Sequence, residues 1–476
     1  MRIHDDSEFI VFASPTVSRD GLSVKYDGYM DVSDGLNRTR YMLFDGIVYA
    51  TTTSQTQATP RCVNPRTIPP FMDMLAALND AVPVVKASLN GANIKCLSGT
   101  LLMTKLNGLD LAICASSSLG LHIYGSDMEI VITYLKDRVP VPTPPVEALN
   151  FKCDVAVNAT AVSDMAIALL TGDRIPDTEM RVLNGFSLAI TDTKCSCKSK
   201  PRPCLFIHGL GIDFEEEELQ DSFDMYWGNM TDHAPCCTYF KYMIWNSMNT
   251  GWNNITQQQI LCDLATNVTG SGSSSEIADT IIITHSMGGL MFAGAIANRR
   301  CAFANSSSWI ALSAPMAGSM GSDYALEGCD GKHSVLMEMI GNVTGQCPVL
   351  ASAKSLLYEG GKTVPLSLIA DYKAAQQVYR TRVHAAVCSN SYSGLFSLYQ
   401  PKYWLLGAAL PHQSEKNDGM VEFQSCAGGF PLEKFGTHFK DQFYVSQLNH
   451  ADTTFYYGDG LFNSAKMPVK WFECLL

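Results

Sequence analysis

The sequence predicts a mostly parallel β-sheet flanked by helices, preceded by a separate and mainly antiparallel β domain. Three observations carry this. From Cys204 onward, apolar runs of strand length alternate with stretches of helical length, the pattern of a parallel sheet with crossover helices. Within that region Ile281-Ile282-Ile283 reads as a buried strand, His285-Ser286-Met287-Gly288-Gly289 as a sharp turn, and the small apolar run from Leu290 to Ala297 as a helix. Before about residue 135, apolar residues alternate with polar ones and turn dipeptides recur, the period of half-buried strands.

In chain order, the alternation of Leu22, Val24, Tyr26, Gly28, Met30 and Val32 predicts a first strand. Hairpins are expected around Asp45-Gly46, around Asn107-Gly108 (Leu101 to Ile113) and near Gly125-Ser126 (Leu121 to Ile132), with one helix between Pro70 and Leu89. This domain is bounded as 1–139. His122 lies in one of its strands and reads as a packed or surface residue. Pro140-Val-Pro-Thr-Pro-Pro145 is a linker candidate, and 140–180 reads as linker and transition, with a helix from Ser163 to Leu170. The second domain is expected over 181–476, its first strands drawn from the β-like run Met180 to Thr191. Its further strands are predicted at Pro203 to Ile207, Thr238 to Trp245, Thr280 to Thr284, Ser308 to Ser313, Val383 to Cys388 and Gln442 to Leu448. Helices are predicted at Thr256 to Ala265, Gly288 to Asn298 and Leu366 to Thr381.

At 476 residues, with 46% hydrophobic and 17% charged residues, the chain is globular and long enough for two domains. A net charge of −12 argues against nucleic acid or an anionic membrane surface as the main partner. The run Glu215 to Glu218 reads as a solvated face. Sixteen cysteines without a Cys-x-x-Cys pair point to disulfides in an oxidising compartment rather than to zinc. Asn-x-Ser/Thr sequons at Asn37, Asn158, Asn229, Asn254, Asn267, Asn305 and Asn342 agree with passage through the secretory pathway. The N-terminus shows no apolar leader, so the leader of a secreted protein is expected upstream. No apolar run has the length of a membrane span.

A serine at a strand-to-helix apex suits nucleophilic chemistry. Its weakly nucleophilic hydroxyl must stand exposed, beside a base and beside N–H donors, and glycines near it let strand and helix approach. Four blocks occur in order: Leu205-Phe-Ile-His-Gly-Leu-Gly211, the Ser286 turn, Trp309-Ile-Ala-Leu-Ser-Ala-Pro-Met-Ala-Gly-Ser319, and Lys416-Asn-Asp-Gly-Met-Val421 with Leu448-Asn-His-Ala-Asp452 behind it. On these blocks the chain resembles the α/β-hydrolase superfamily over about residues 204–455, and within it lipases and GPI inositol-deacylase-type hydrolases. Thr284 stands where the Gly-x-Ser-x-Gly pattern of that superfamily has its first glycine.

The resemblance implies an α/β hydrolase fold with Ser286 as nucleophile, Asp418 as the acid and His450 as the base, in the superfamily's order. Asp323 and Asp371 are the reserves for the acid. His438 precedes the last strand and is disfavoured as base, while His412 and His285 read as surface or packing residues. The backbone N–H groups of Leu210 and Met287 are the implied oxyanion donors, and His208 reads as a structural anchor of its loop. A cap or lid insertion is expected over 316–365. The implied activity is hydrolysis of a lipid or acyl ester through an acyl-enzyme, with thioesters also open, no metal or cofactor, and transient contact with a lipid surface. Apolar residues Met287, Leu290 and Met291 are expected beside the acyl group. The rival reading, from another class, is a catalytically weak or inactive hydrolase-fold protein whose N-terminal β module binds lipid or protein.

The compartment reading predicts that the protein purified from a secretory host resists alkylation before reduction, and that glycosidase treatment lowers its mass. Sixteen alkylated thiols without reduction, and no mass shift, would overturn it.

Overall fold

The computed structural model describes residues 10–476 except 35–36, 54–57, 64–70, 98, 107, 117–119, 127, 138, 144–152, 154, 156–159, 176–186, 191–194, 270–274, 330–348, 398 and 461–462. The chain divides into two compact units, Met1–Lys194 with Gly460–Ser464, and Cys195–Asp459 with Ala465–Leu476.

The first unit is built from antiparallel sheets. Val11–Val17, Ser23–Asp34, Asn37–Phe44, Ile47–Thr53 and Ala58–Cys62 pair in chain order. Asp45 and Gly46 turn the expected hairpin with φ of +49° and +77°, the two left-handed positions that suit Asp-Gly between right-twisted strands. Thr100–Leu106, Leu109–Ser116, Gly120–Tyr124 and Glu129–Ile132 form a second meander, as expected, although Asn107 of the first hinge lies outside the described residues. Helices Phe71–Asn79 and Asp164–Thr171 supply Leu78, Met165 and Leu169 to the core under it. The second helix starts where the sequence marks it, with Ser163 Oγ accepting the Ala166 N–H.

The boundary lies further along the chain than expected. Ser187–Ile190, read from sequence as the start of the second domain, pairs in parallel with Lys86–Leu89 of the first unit. A four-residue apolar run contains nothing to say which edge it joins. Pro144 and Pro145 of the linker candidate and 180–186 of the β-like run lie outside the described residues.

Six strands of the second unit build its main sheet: β1 (Arg202–Ile207), β2 (Cys237–Met243), β3 (Ile281–His285), β4 (Ser308–Leu312), β5 (Val383–Ser389) and β6 (Phe443–Ser446). They form one all-parallel sheet in the order β2-β1-β3-β4-β5-β6. Helices α1 (Ile255–Thr266), α2 (Met287–Ala297) and α3 (Leu366–Arg382) fall within a residue or two of expectation. A parallel sheet covered on both faces explains the unbroken apolar strands. Leu205, Ile207, Ile282, Trp309 and Ala311 join Leu261, Phe292, Tyr372 and Tyr379 of the three helices in one cluster. On the opposite face Phe206 stacks on Tyr242 at 5.0 Å and meets Trp227 and Phe472 edge-on at 5.1 and 6.3 Å.

The order of the strands reverses between β1 and β3. The chain leaves β1 for β2 on one side and returns to β3 on the other, opening a crevice beyond the carboxyl ends of those two strands. His208–Gly211 and Ser286 follow those ends. The expected cap is only partly visible, since 330–348 lie outside the described residues. Its later flank is core rather than lid: Leu356 and Leu357 are buried in the main cluster, and Trp252 Nε1 donates to Ser355 O at 2.6 Å.

Among the described residues seven disulfides are formed: Cys62–Cys153 and Cys96–Cys114 in the first unit, and Cys195–Cys474, Cys197–Cys236, Cys204–Cys237, Cys262–Cys301 and Cys388–Cys426 in the second. Cys195–Cys474 spans 279 residues and so closes the second unit on itself. Replacing both of these cysteines by alanine is expected to lower the unfolding free energy by about 2–4 kcal/mol, read from the urea midpoint of the oxidised protein. An unchanged midpoint would show that the closed loop contributes nothing.

Candidate active site

The Ser286 turn is shaped by what cannot fit around it. Ser286 itself has φ +53° and ψ −130°, a conformation that costs a residue with a Cβ about 1–3 kcal/mol. Its N–H is held by Leu312 O of β4 at 2.9 Å, and α2 begins at the next residue. A Cβ at Gly209 would lie 2.5 Å from Ser286 Cβ, and one at Gly288 would lie 2.5 Å from His208 O. Thr284 does not crowd the turn. Its Oγ1 accepts the Trp309 Nε1–H at 2.9 Å, and the space it needs is left by Gly289, where a Cβ would come within 3.3 Å of that oxygen. The missing first glycine is thus matched by a second glycine after the serine.

The structure brings Ser286, His450 and Asp418 together. His450 Nε2 lies 2.8 Å from Ser286 Oγ, and its Nδ1 lies 2.8 Å from Asp418 Oδ2. All three are buried, Ser286 and His450 retaining 7% and 8% exposure and Asp418 1%. Asp418 is fixed by its own turn: Oδ1 accepts the N–H groups of Met420 and Val421 at 2.9 and 2.7 Å, and its carbonyl accepts the His450 N–H at 2.9 Å. Each partner therefore has a backbone-defined place, and the imidazole has an acceptor on one nitrogen and a hydroxyl on the other.

The loop after β1 approaches the serine from the other side. His208 is fully buried, its Nδ1–H given to Gly209 O at 2.7 Å and its Nε2 accepting Trp245 N–H at 3.1 Å. Burial lowers its pKa to about 4, so it stays a neutral anchor, as expected. The Gly209 N–H is taken by Tyr226 Oη at 2.9 Å. The Leu210 and Met287 N–H groups, in contrast, have no acceptor among the described residues. That of Met287 is one of the unpaired donors at the start of α2, where the helix dipole favours negative charge.

The remaining candidates lie elsewhere. Asp323 is buried and accepts Tyr358 N–H at 2.6 Å, and Asp371 accepts from Asn253 Nδ2 at 2.9 Å. His438 is exposed, and His412 is buried against Glu422 Oε1 at 2.8 Å. Met287, Leu290 and Met291 were expected beside an acyl group. Their side chains are fully buried in the main core cluster. Asn229, Asn254, Asn267 and Asn305 are exposed, while Asn158 and Asn342 lie outside the described residues and the side chain of Asn37 is not described. Two residues near the site escaped the sequence reading. Tyr226 sits on the four-residue helix Asp224–Trp227, in a stretch without periodicity, and His285 was read as packing. The only signal for His285 was its place directly before the serine.

No family model matches the chain, and no curated protein sequence matches it. Among solved structures it is similar to a Staphylococcus hyicus lipase at 12% identity, over 58% of this chain and 93% of that one, with a TM-score of 0.31. It is similar to a metagenomic carboxyl esterase at 13% identity, over 61% and 78% of the two chains, TM-score 0.33. A phospholipase from Legionella pneumophila matches at 11% identity over 48% of this chain and 45% of that chain, TM-score 0.31.

Behind His450, Asp452 is buried and accepts the Leu395 N–H at 2.5 Å and the Ser397 hydroxyl at 3.2 Å. Burial raises its pKa to about 7 despite these bonds and the positive charge of Lys466. The folded state therefore holds a proton that the unfolded chain has released, so the stability from this group is full below pH ~4 and is lost as pH rises through ~7. Relative to Asp452→Asn, the wild type is expected to lose up to about 1.4 kcal/mol per pH unit in that window, measured by urea unfolding at several pH values. Parallel pH curves for the two proteins would overturn this.

Proposed function

We propose that this chain is a serine hydrolase of the α/β-hydrolase type that cleaves carboxylic esters, with lipid or other acyl esters as substrates, and that it works in the secretory pathway or outside the cell. The observation that carries the reading is the hydrogen-bonded chain Ser286 Oγ–His450–Asp418 at the strand-to-helix turn, with every link at 2.8 Å. In this reading Ser286 Oγ attacks the ester carbonyl carbon while His450 Nε2 takes its proton. Asp418 holds the Nδ1–H tautomer and stabilises the imidazolium without taking the proton. The carbonyl oxygen becomes negative and is met by the N–H groups of Leu210 and Met287, each worth roughly 3 kcal/mol in such a role. The intermediate collapses by expelling the alkoxide, which receives the proton from His450. Water then attacks the acyl-serine along the reverse route, releasing the carboxylic acid and restoring Ser286.

Oxidising conditions are supported by seven disulfides and by the lack of a free cysteine among the described residues. The burial of Met287, Leu290 and Met291 removes the residues expected beside the acyl group, so the class proposed is the ester and not a chain length.

A series of p-nitrophenyl esters, with a thioester in parallel, tests the reaction. Ser286→Ala is expected to lower kcat by at least about 10⁴-fold and Asp418→Asn by about 10⁴-fold. A fluorophosphonate should label Ser286 alone, as read by peptide mass spectrometry. Activity that survives Ser286→Ala, or a labelled residue elsewhere, would overturn the assignment. No turnover and no labelling in the folded protein would favour a binding module on this fold.

A further inference from the structure

One buried chain of hydrogen bonds links the two loops that flank Ser286, and the proposed reaction does not use it. It begins at Gly209, whose N–H donates to Tyr226 Oη at 2.9 Å. Tyr226 Oη lies 2.6 Å from His285 Nδ1, and His285 Nε2 lies 3.0 Å from the carbonyl oxygen of His450. The proton positions follow from the partners alone. The His450 carbonyl can only accept, so His285 carries its proton on Nε2. Its Nδ1 is then an acceptor, and the Tyr226 hydroxyl, already accepting from Gly209, gives its one proton there. Every donor in the chain has one acceptor, all in one direction, and the His450 carbonyl at its end also accepts the Thr453 hydroxyl at 2.9 Å.

This arrangement requires a neutral His285. Burial holds its pKa well below the ordinary histidine range, the adjacent His450 and His208 rings push the same way, and its bond to the His450 carbonyl opposes them only in part. Burial likewise raises the Tyr226 phenol, keeping it a donor. The rings leave little freedom. His285 packs 4.9 Å from His450 and meets Trp227 edge-on at 6.2 Å, while Tyr226 stacks on Phe223 at 5.7 Å.

We propose that Tyr226 and His285 are positioning residues that hold the loop of Gly209 and Leu210 in register with His450 across the nucleophile. The proposal rests on the ester-hydrolase reading of Ser286, His450 and Asp418. One end of the chain fixes the peptide just before the Leu210 donor, and the other fixes the backbone that carries the base. A serine between two independently mobile loops would meet base and oxyanion donors together only part of the time. The strut makes the two placements one. His285 reaches both loops from the residue next to Ser286, so the elbow sets the spacing.

The test uses the full chain, a p-nitrophenyl ester and a fluorophosphonate to count competent sites. Tyr226→Phe leaves the Gly209 N–H and His285 Nδ1 unpaired. It is expected to lower kcat per titrated site about 10- to 100-fold, the usual effect of a misplacement on the order of 1 Å, with KM within about twofold. His285→Gln can still donate to the His450 carbonyl and should retain more activity than His285→Leu, which can do neither. Tyr226→Phe combined with His285→Leu should cost no more than the worse single variant, because both cut one chain. A purely structural role would instead reduce the number of titrated sites and the unfolding midpoint while leaving kcat per site unchanged, and that result overturns the proposal. Additive losses, or no rescue by Gln over Leu, also overturn it. If Tyr226→Phe does not fold, the His285→Gln and His285→Leu pair decides. Ser286→Ala runs beside them: activity persisting there condemns the triad reading itself, whatever the strut variants do.

Discussion

Everything around the candidate site depends on a close approach of backbones at Ser286. The serine occupies a left-handed conformation that a side chain resists, and it is kept there because three neighbours have no side chain to offer. Gly209 lets the loop after β1 come against Ser286 Cβ, Gly288 lets α2 lie on the β1 carbonyls, and Gly289 leaves room for Thr284. A Cβ on any of the three would meet Ser286 Cβ, the His208 carbonyl or Ala314 Cβ at 2.5–2.7 Å, none of which yields cheaply in a packed core. The strain at one residue is thus offset by packing spread over three elements.

Much of this was legible in the sequence because parallel sheets write themselves plainly. Strands covered on both faces are continuous apolar runs, and Ile281 to Ile283 and Trp309 to Leu312 can be nothing else at that length. Ser286 and His450 follow such runs, whereas Asp418 follows the helix Gln400–Ala409, and all three could be named because the four sequence blocks that hold them resemble the α/β-hydrolase pattern. The N-terminal unit was legible wherever a turn dipeptide marks a hairpin, as at Asp45-Gly46. It was illegible where pairing joins distant short segments, as with Ser187–Ile190 and Lys86–Leu89. Local pattern fixes the period of a strand but not its neighbour.

The misreadings share a cause. Met287, Leu290 and Met291 follow the serine closely in sequence, which suggested a lining for the acyl group. A helix rises 1.5 Å per residue and turns about 100°, and the side of α2 that these residues occupy faces the core. His285 shows the converse. It was read as a surface or packing residue, because nothing in the local pattern around it marks distant partners. Its ring nitrogens instead meet the Tyr226 hydroxyl and the His450 carbonyl, partners far from it in sequence.

Three histidines lie within this small volume, and burial separates their tasks. His208 and His285 each have both ring nitrogens committed to neutral groups: a backbone carbonyl and N–H for the first, a phenol and a carbonyl for the second. Among the described residues no carboxylate hydrogen-bonds to either ring, and burial drives both towards the neutral form. Of the three, His450 alone has a carboxylate on Nδ1, and the other oxygen of that carboxylate accepts the N–H groups of Met420 and Val421. In the proposed reaction a proton leaving Ser286 therefore meets the one imidazole of the three that has a carboxylate behind it. In the proposed reaction the neutrality of His285 matters as much as the carboxylate, since a cation with its ring centroid 4.9 Å from that of His450 would oppose a charge on the His450 imidazole.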